Sequence, residues 1–395
     1  MAVCRPSDAA ALTAAVKKAA LECGAHTVRI ARAAPDAATR ARMRDAFERG
    51  DLATWPYDDA YAGAASDPAT LLPGARSVVC IAVPYATDAP AERPGHGRVS
   101  SYAWSRDYHR RMRELLRALA ARIDALAAVR QAQGDRAVTR VACDTAPLAE
   151  RAFAALAGLG WIGKHTSLIV PGLGSAVFLG EVVTTLELEP DAPLRTSCGA
   201  CTRCVDVCPT GALRGDRTID ATRCISDATQ RRDAIPRALR PLIGGWVWGC
   251  DLCNDACPPS IRAGRRGGAT FAPLDDEIAA PDLQKLLRLR GRAFARMRET
   301  AMGWRGAVVL RRNAAVALGN GLDRADVPAL AHALVTDPSP LVRGHAAWAL
   351  GRIRSPRALG ALRAASEVEQ EASARAEIEG ALEPSTAAAA FQPVA

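Results

Sequence analysis

Eight of the chain's twelve cysteines lie between Cys198 and Cys257, and their spacing is the strongest chemical signal in the sequence. The first run is Cys198-x2-Cys201-x2-Cys204-x3-Cys208-Pro209. This is the bacterial ferredoxin pattern, in which three thiolates wrap one cubane and the fourth serves a second cluster. The second run, Cys250-x2-Cys253-x3-Cys257-Pro258, matches only the last three positions, and Val247 stands where its first cysteine belongs. Cys224 is the one remaining nearby candidate to fill that gap. The pattern predicts crossed ligation: one [4Fe–4S] cluster on Cys198, Cys201, Cys204 and Cys257, the other on Cys208, Cys224, Cys250 and Cys253. Paired Cys-x2-Cys spacing also suits tetrahedral zinc, but zinc explains the x2-x2-x3-Cys-Pro run poorly. A secreted disulfide scaffold would be short and would carry a signal peptide. The N-terminal stretch here has charges and only short apolar runs, so it does not read as one.

Asp144 is the most suggestive residue ahead of the cysteines. It follows a strand-like run, Val138–Cys143, and with Thr145-Ala146-Pro147 it opens a helical pattern reaching about Leu159. Strand-to-helix handovers often carry catalytic groups, and an aspartate there equally serves as a helix N-cap. Familiar cofactor loops are missing. Gly172-Leu-Gly174 is too short for a dinucleotide fingerprint and opens no helix. Asp107-Tyr108-His109 begins the Asp-x-His-x-x-Gly loop of some corrinoid proteins, but Met112 replaces the glycine.

The elements that must position these residues are legible in outline. Residues 8–22 form an amphipathic pattern with Leu12, Val16 and Ala19 on one side. Ser77–Tyr85 is a β-rich apolar run, hence a buried strand. Arg106–Arg130 repeats Met112, Leu115, Leu116, Leu119, Ile123 and Leu126 at helical spacing, with Arg110, Arg113 and Arg117 on a solvated face. Gly160-Trp-Ile-Gly-Lys164 reads as a glycine-hinged loop, followed by strands at Ser167–Val170 and Ala176–Thr185. Strands and helices mix without strict alternation, which favours α+β over a doubly wound sheet. Asp191–Pro193 reads as a linker and Arg262–Gly268 as a basic hinge. The expected parts are an α+β domain over 1–190, a ferredoxin-like domain over 191–262 and a helical-repeat domain over 263–385.

The last part repeats with a 32-residue offset. Ala315-Val-Ala-Leu-Gly319 recurs as Ala347-Trp-Ala-Leu-Gly351, and Glu379-Gly-Ala-Leu382 follows in phase. Arg311, Arg343 and Arg375 keep that phase, as do Asn313, His345 and Glu377. Such helix pairs resemble short HEAT-like repeats that bury their faces on one another. The chain's net charge is +9. Ile261–Arg312 holds twelve Lys and Arg against five Asp and Glu, so most of that charge sits at the entry to the repeats, as a polyanion-docking surface would require. The longest stretch free of charged residues, His165–Gly180, is sixteen residues and contains Pro171. A bilayer helix needs about 20 apolar residues, so no span is expected.

Together these motifs make the chain resemble epoxyqueuosine reductase, a cobalamin-dependent iron–sulfur family acting on transfer RNA. The resemblance runs nearly end to end. It rests on Asp107-Tyr-His109, Asp144-Thr145, Glu150-Arg-Ala152, Gly158-x-Gly-Trp-Ile-Gly-Lys164, Phe178-Leu-Gly-Glu181 and the ferredoxin run. It continues through Cys224-Ile-Ser226, Thr229-Gln230, Gly249-Cys-Asp251, Trp304-Arg-Gly306 and Arg312-Asn-Ala314. It implies a cobalamin-binding first domain, a two-cluster domain and a HEAT-like domain gripping the anticodon stem-loop. The implied reaction turns epoxyqueuosine into queuosine, with electrons passing from an unidentified low-potential donor through the clusters to cobalamin. In that scheme Asp144 is the proton donor, which calls for a carboxyl whose pKa is raised, as burial against the corrin would do. Ser100, Asp144, His165, Leu168, Leu179, Ser226 and Asp251 are implied corrin neighbours, with His165 replacing a common Asn. Arg232, Arg305 and Arg312 are expected transfer-RNA contacts. A cytoplasmic monomer is implied. The rival readings are a reductive dehalogenase-like corrinoid enzyme, which leaves the basic repeat arm unexplained, and a non-enzymatic iron–sulfur carrier with a HEAT adaptor, which gives Asp144 no purpose.

Overall fold

The fold is taken from a computed structural model that describes residues 6–130, 138–268 and 271–383. Its first part is built on one antiparallel sheet. Strands β1 (Thr27–Arg32), β2 (Ser77–Pro84), β4 (Thr139–Ala142) and β7 (Val177–Thr184) lie in the order β1-β2-β7-β4. Helix α1 (Pro6–Glu22) and helix α2 (Tyr108–Arg130) cover one face, where Leu12, Val16, Ile81, Met112, Leu116, Leu119 and Val182 pack together. Helix α3 (Glu150–Leu156) covers the other, where Phe153 meets Val78, Cys80, Ala82 and Val183. A strand covered on both faces needs apolar residues at every position, which is why Ser77–Tyr85 lacks alternation. The α+β expectation holds, since every pairing in this sheet is antiparallel.

Three local expectations are corrected. Gly160-Trp-Ile-Gly-Lys164 is not simply a loop: β5 (Trp161–Ile162) pairs antiparallel with β6 (Leu168–Ile169), and Thr166 makes the tight turn at φ +68°. The helix after β4 starts at Glu150, with Ala149 at its N-cap position, so Asp144 caps nothing. Asp144 instead takes a left-handed backbone at φ +57°, a conformation that is costly for most residues and that aspartate tolerates better. Asp191 is not a loose linker, because its carboxylate accepts from Lys17 Nζ at 2.7 Å and from the Ile30 amide at 2.8 Å.

The short parallel pair β3 (Arg98–Val99) and β8 (Trp246–Trp248) ties the first part to the rest. Val99, Ala103 and Trp104 join Trp246, Val247, Trp248 and the C-terminal helices in one core, so the three parts share buried surface. Val247 is fully buried there, as part of that apolar core.

The repeats form five helices, Ala307–Gly321, Val327–Thr336, Pro340–Ile353, Pro356–Val368 and Ala372–Leu382. The two in-phase polar ladders have separate jobs. Arg311 pairs with Asp337 and Arg343 with Glu369, while Arg375 donates to the Glu369 carbonyl, so each ties its repeat to the turn beside it. Asn313 donates to the carbonyls of Thr229 and Val247. His345 accepts from the Ile235 amide, and Glu377 pairs with Arg240. That second ladder grips the chain between 229 and 247. Arg312 belongs to the same grip. It is fully buried and donates to the carbonyls of Ala228, Thr229, Arg231 and Asp233. Its expected role as a phosphate contact is therefore wrong: no donor is left and no solvent reaches it.

Candidate functional site

The two cysteine runs each turn into short helices, Arg203–Asp206 and Leu252–Asp255, and Pro258 starts a third at Pro258–Ala263. These tight turns bring distant thiols together. Cys204 stands in electrostatic reach of Cys198, Cys201 and Cys257, and Cys257 of Cys198 and Cys201. Cys224 has Cys208 as a neighbour, and Cys250 has Cys253 and Cys224. Cys253 faces Cys224 and Cys208 and also Cys204, so the two groups stand side by side. Burial pushes the thiols of Cys204, Cys224, Cys250, Cys253 and Cys257 upward. Such sulfurs ionise fully only beside a positive centre, as metal ligands do. Among the described residues no three Cys, His, Asp or Glu side chains converge on a single-ion site. A cubane, with iron at its corners, holds its thiolates further apart than one zinc ion would.

A linked group of titratable side chains lies where the start of α2 meets the loop after β4. His109, at the start of α2, donates or accepts at both ring nitrogens: Nδ1 lies 2.6 Å from Asp107 Oδ1 and Nε2 lies 2.9 Å from Asp144 Oδ2. Burial alone would pull the imidazole down, but the bonds to the two carboxylates outweigh it and lift its pKa to about 9. Asp107 is held below the usual carboxylate range, because its bond and charge interaction with His109 outweigh its own burial. Tyr108 fixes the ring plane, stacked on Phe178 at 4.1 Å and on His109 at 4.0 Å. Asp144 itself is 58% exposed at the side chain. The burial expected of this carboxyl was against a corrin, and the chain by itself leaves it open to solvent; the group its neighbours lift is His109.

Behind Asp144 lies a second carboxyl pair. The Asp144 amide donates to Glu150 Oε1. Glu181 projects from the central strand β7, opposite Cys80, toward α3 and thus toward Glu150. It is fully buried, and neither of its oxygens has a hydrogen-bond partner. Burial first, and then the charge of Glu150, push Glu181 well up. Burial likewise lifts Glu150 to about 7, with the Asp144 amide working against it.

The expected corrin neighbours fall into three places. Leu168 and Leu179 line a cavity of about 150 Å3 with Tyr85, Arg151, Val177, Ser175 and Asn254. His165 lies on the β5–β6 turn beneath it, and burial drops its pKa to about 4. Its Nε2, like Trp161 Nε1 on the same hairpin, is buried without a partner. Ser100 and Asp251 are instead bound to each other. The Ser100 hydroxyl donates to Asp251 at 2.5 Å and the Ser101 amide donates to the other oxygen at 2.7 Å, pinning the Cys250 loop to β3. Ser226 accepts from Gln230 Nε2 at 3.1 Å. Tyr85 links these places, since it lines the cavity and has Asp251 and Cys253 among its charged neighbours.

Comparison with known proteins decides the family. A family model described as epoxyqueuosine reductase QueG, DUF1730, matches residues 66–145. One described as a 4Fe-4S double cluster binding domain matches 197–260, and one of HEAT repeats matches 307–383. The chain is 36% identical over 322 residues to the epoxyqueuosine reductase of Bacillus subtilis, covering 80% of this chain and 81% of that one. It belongs to the epoxyqueuosine reductase family. A solved epoxyqueuosine reductase bound to an epoxyqueuosine-modified tRNA stem loop superposes with a TM-score of 0.85 at 33% identity, covering 94% of this chain and 98% of that one. A second structure, the Bacillus subtilis enzyme with its catalytic aspartate loop swung out of the active site, gives 0.85 at 32% identity with the same coverage.

Within this family frame the matched regions coincide with the pieces described above. The reductase model ends at Thr145, one residue beyond Asp144, and the cluster model encloses all eight cysteines. The sequence reading singled out Asp144 but missed His109 and Glu150, which bond to it, and Glu181 beyond Glu150. Each lay inside a motif already noted; the His109 contact spans 35 residues and Glu181 sits on another strand, whereas Glu150 lies only six residues on. Of the expected RNA contacts, Arg232 is exposed and Arg305 lies with its guanidinium 3.6 Å from the Trp304 ring centre.

Proposed function

We propose that this chain converts epoxyqueuosine to queuosine in the anticodon loop of transfer RNA. The observation that carries this reading is the Asp107–His109–Asp144 line, set beside an eight-thiol module in a chain of this family. The reaction removes one oxygen: two electrons and two protons enter, two C–O bonds break, a C=C bond forms and water leaves.

Cys198, Cys201, Cys204 and Cys257 would hold one [4Fe–4S] cluster, and Cys208, Cys224, Cys250 and Cys253 the other, as carriers of single electrons. The apolar side chains of Leu168 and Leu179, with the buried, unpartnered nitrogens of Trp161 and His165 on the adjoining hairpin, would supply an apolar contact and polar donors to a cofactor edge. Cobalamin bound there supplies reduced cobalt able to act on the epoxide carbon. Ser226 is a further contact in this reading, while Ser100 and Asp251 fix the distance between the cavity and the Cys250 loop.

The remaining chemistry is proton handling by the chain. An alkoxide leaves poorly, so the departing oxygen needs a donor. Asp144 delivers the proton at that oxygen. His109, kept as imidazolium by Asp107, refills Asp144 across 2.9 Å. Holding the Asp144 amide on Glu150 aims the carboxylate, and a loop tied down this lightly has freedom to swing, as in the Bacillus subtilis relative. Arg232 and Arg305 bind phosphate. We place the functional divisions at 190/191 and 262/263, and the protein in the cytoplasm as a monomer with its RNA substrate and a low-potential donor. No helix of the described residues is long and apolar enough to cross a membrane.

Anaerobic incubation with epoxyqueuosine-containing RNA, added cobalamin and a strong reductant tests the reading by mass analysis of the nucleoside. Loss of one oxygen mass supports it. An unchanged nucleoside, with both clusters and cobalt demonstrably reduced, overturns it.

A further inference from the structure

Four aromatic rings follow one another across the surface that joins the three parts of the chain. Tyr61 and Tyr57 stack with centres 4.2 Å apart, Tyr57 and Trp55 lie 6.0 Å apart at 9°, and Trp55 and Trp304 lie 6.0 Å apart at 27°. Trp304 is 51% exposed and Tyr57 39%. An exposed aromatic strip of this length costs solvation and on a folded protein commonly marks a contact surface.

The strip is anchored rather than loose. Trp55 Nε1 donates to Asp227 at 2.9 Å, and Asp227 pairs with Arg231 in the cluster part. Asp58 caps the helix Asp59–Ala65 by accepting from the Tyr61 amide at 2.8 Å. Asp59, the other acid beside the strip, is paired with Arg40 and Arg44. The two ends differ in character. At one, Asp144 and Glu150 are close enough to raise the Tyr61 phenol, after burial. At the other, Arg305 lies over both Trp304 and Trp55, its Nε buried without a partner, and Arg232 stands close enough to repel it.

Partly exposed rings flanked by arginine suit unpaired nucleotides. Every base has a face to stack, and the phosphates between bases take the guanidinium groups. An apolar peptide would leave Arg305 and Arg232 uncompensated. We infer that Trp304, Trp55, Tyr57 and Tyr61 form a stacking track for the unpaired loop nucleotides flanking the one that reaches Asp144, with Arg305 and Arg232 on the intervening phosphates. The inference rests on the proposed RNA substrate.

The test uses the full chain and a synthetic anticodon stem-loop of unmodified sequence, titrated by tryptophan fluorescence at several salt concentrations. A second RNA carries abasic sites in the loop. Trp304→Ala and Tyr57→Ala should each weaken binding about 5- to 150-fold, the range expected for one lost base stack. The salt slope should not change, and Trp304→Phe and Tyr57→Phe should restore most of the loss. The abasic RNA should bind wild type as weakly as the intact RNA binds the Ala variants. Arg305→Gln should instead flatten the salt slope by about 0.7–0.9. Wild-type affinity in both Ala variants overturns the track and leaves the RNA substrate standing. No binding of the stem-loop by the wild-type chain overturns both.

Discussion

His109 should titrate near 9, far above an ordinary imidazole, and its two carboxylate partners are the cause. The folded value lies about 2.5 pH units above 6.5, which at about 1.36 kcal/mol per unit caps the coupling at roughly 3 kcal/mol. The His109 side chain is only 18% exposed, but Asp107 and Asp144 are about half exposed, so solvent screening should reduce this to about 1–2 kcal/mol. The sign follows from the direction. A pKa raised on folding adds stability that is complete below about pH 6.5 and disappears as pH rises through 9. The assay is a proton NMR titration of the imidazole C2–H signals, of which there are six. His165 and His345 are pushed down by burial, so they will not be confused with a signal titrating high. Asp144→Asn and Asp107→Asn should each lower the His109 value by about one unit, since each removes one of two opposing charges. In the active enzyme the alkaline limb of kcat should move with it in Asp107→Asn. A His109 signal titrating at or below 6.5 in the wild type would refute the proton store. So would an alkaline limb that ignores Asp107→Asn.

Three other outcomes are expected. Glu181→Gln removes the like charge beside Glu150, so the protonated-carboxyl infrared band of Glu150 should vanish at a lower pH than in wild type. Because burial raises both acids, their ionisation penalises the fold at high pH, and the variant should gain thermal stability at pH 8 but not at pH 5. Cys224→Ala should leave about four irons per chain instead of eight after reconstitution, because buried Val247 cannot substitute; eight irons would reject the crossed ligand set. Arg312→Met should cost about 3–5 kcal/mol in stability by taking the guanidinium from the carbonyls of Ala228, Arg231 and Asp233, while Thr229 keeps Asn313. The folded fraction of that variant should bind the stem-loop with an unchanged salt slope, which a phosphate contact would not allow.

The parts legible in the sequence were those written in short-range spacing. The ferredoxin run states its chemistry within eleven residues, and the 32-residue phase of Ala315–Gly319 and Ala347–Gly351 falls on successive inner helices, as expected. Asp144 was found by its place after a strand, yet the helix it was thought to open begins six residues later, at Glu150, whose side chain accepts from the Asp144 amide. His109 was visible within Asp107-Tyr-His109 but could not be assigned, since its second partner comes from the loop after β4, 35 residues on. Arg312 misled most. Charge composition puts arginine on the surface by default, and nothing local reveals that four carbonyls from the cluster part converge on it. Its neighbour Arg311, also buried, is spoken for by Asp337.

The repeat domain's inner face carries a further consequence. Asn313, His345 and Glu377 occupy the same position in three repeats, and each grips the chain between 229 and 247. That segment begins at the end of the short helix holding Cys224 as its cap and ends just before Cys250. The inner face is therefore already filled by the protein's own cluster part, in the segment that runs between Cys224 and Cys250. On the reading proposed above, RNA would approach along the rim, where Arg232, Arg305 and Trp304 lie, rather than inside the curve. One set of repeats would then serve both ends of the proposed reaction: its interior holds the segment between Cys224 and Cys250, and its edge, continuous with the aromatic strip, leads toward Asp144.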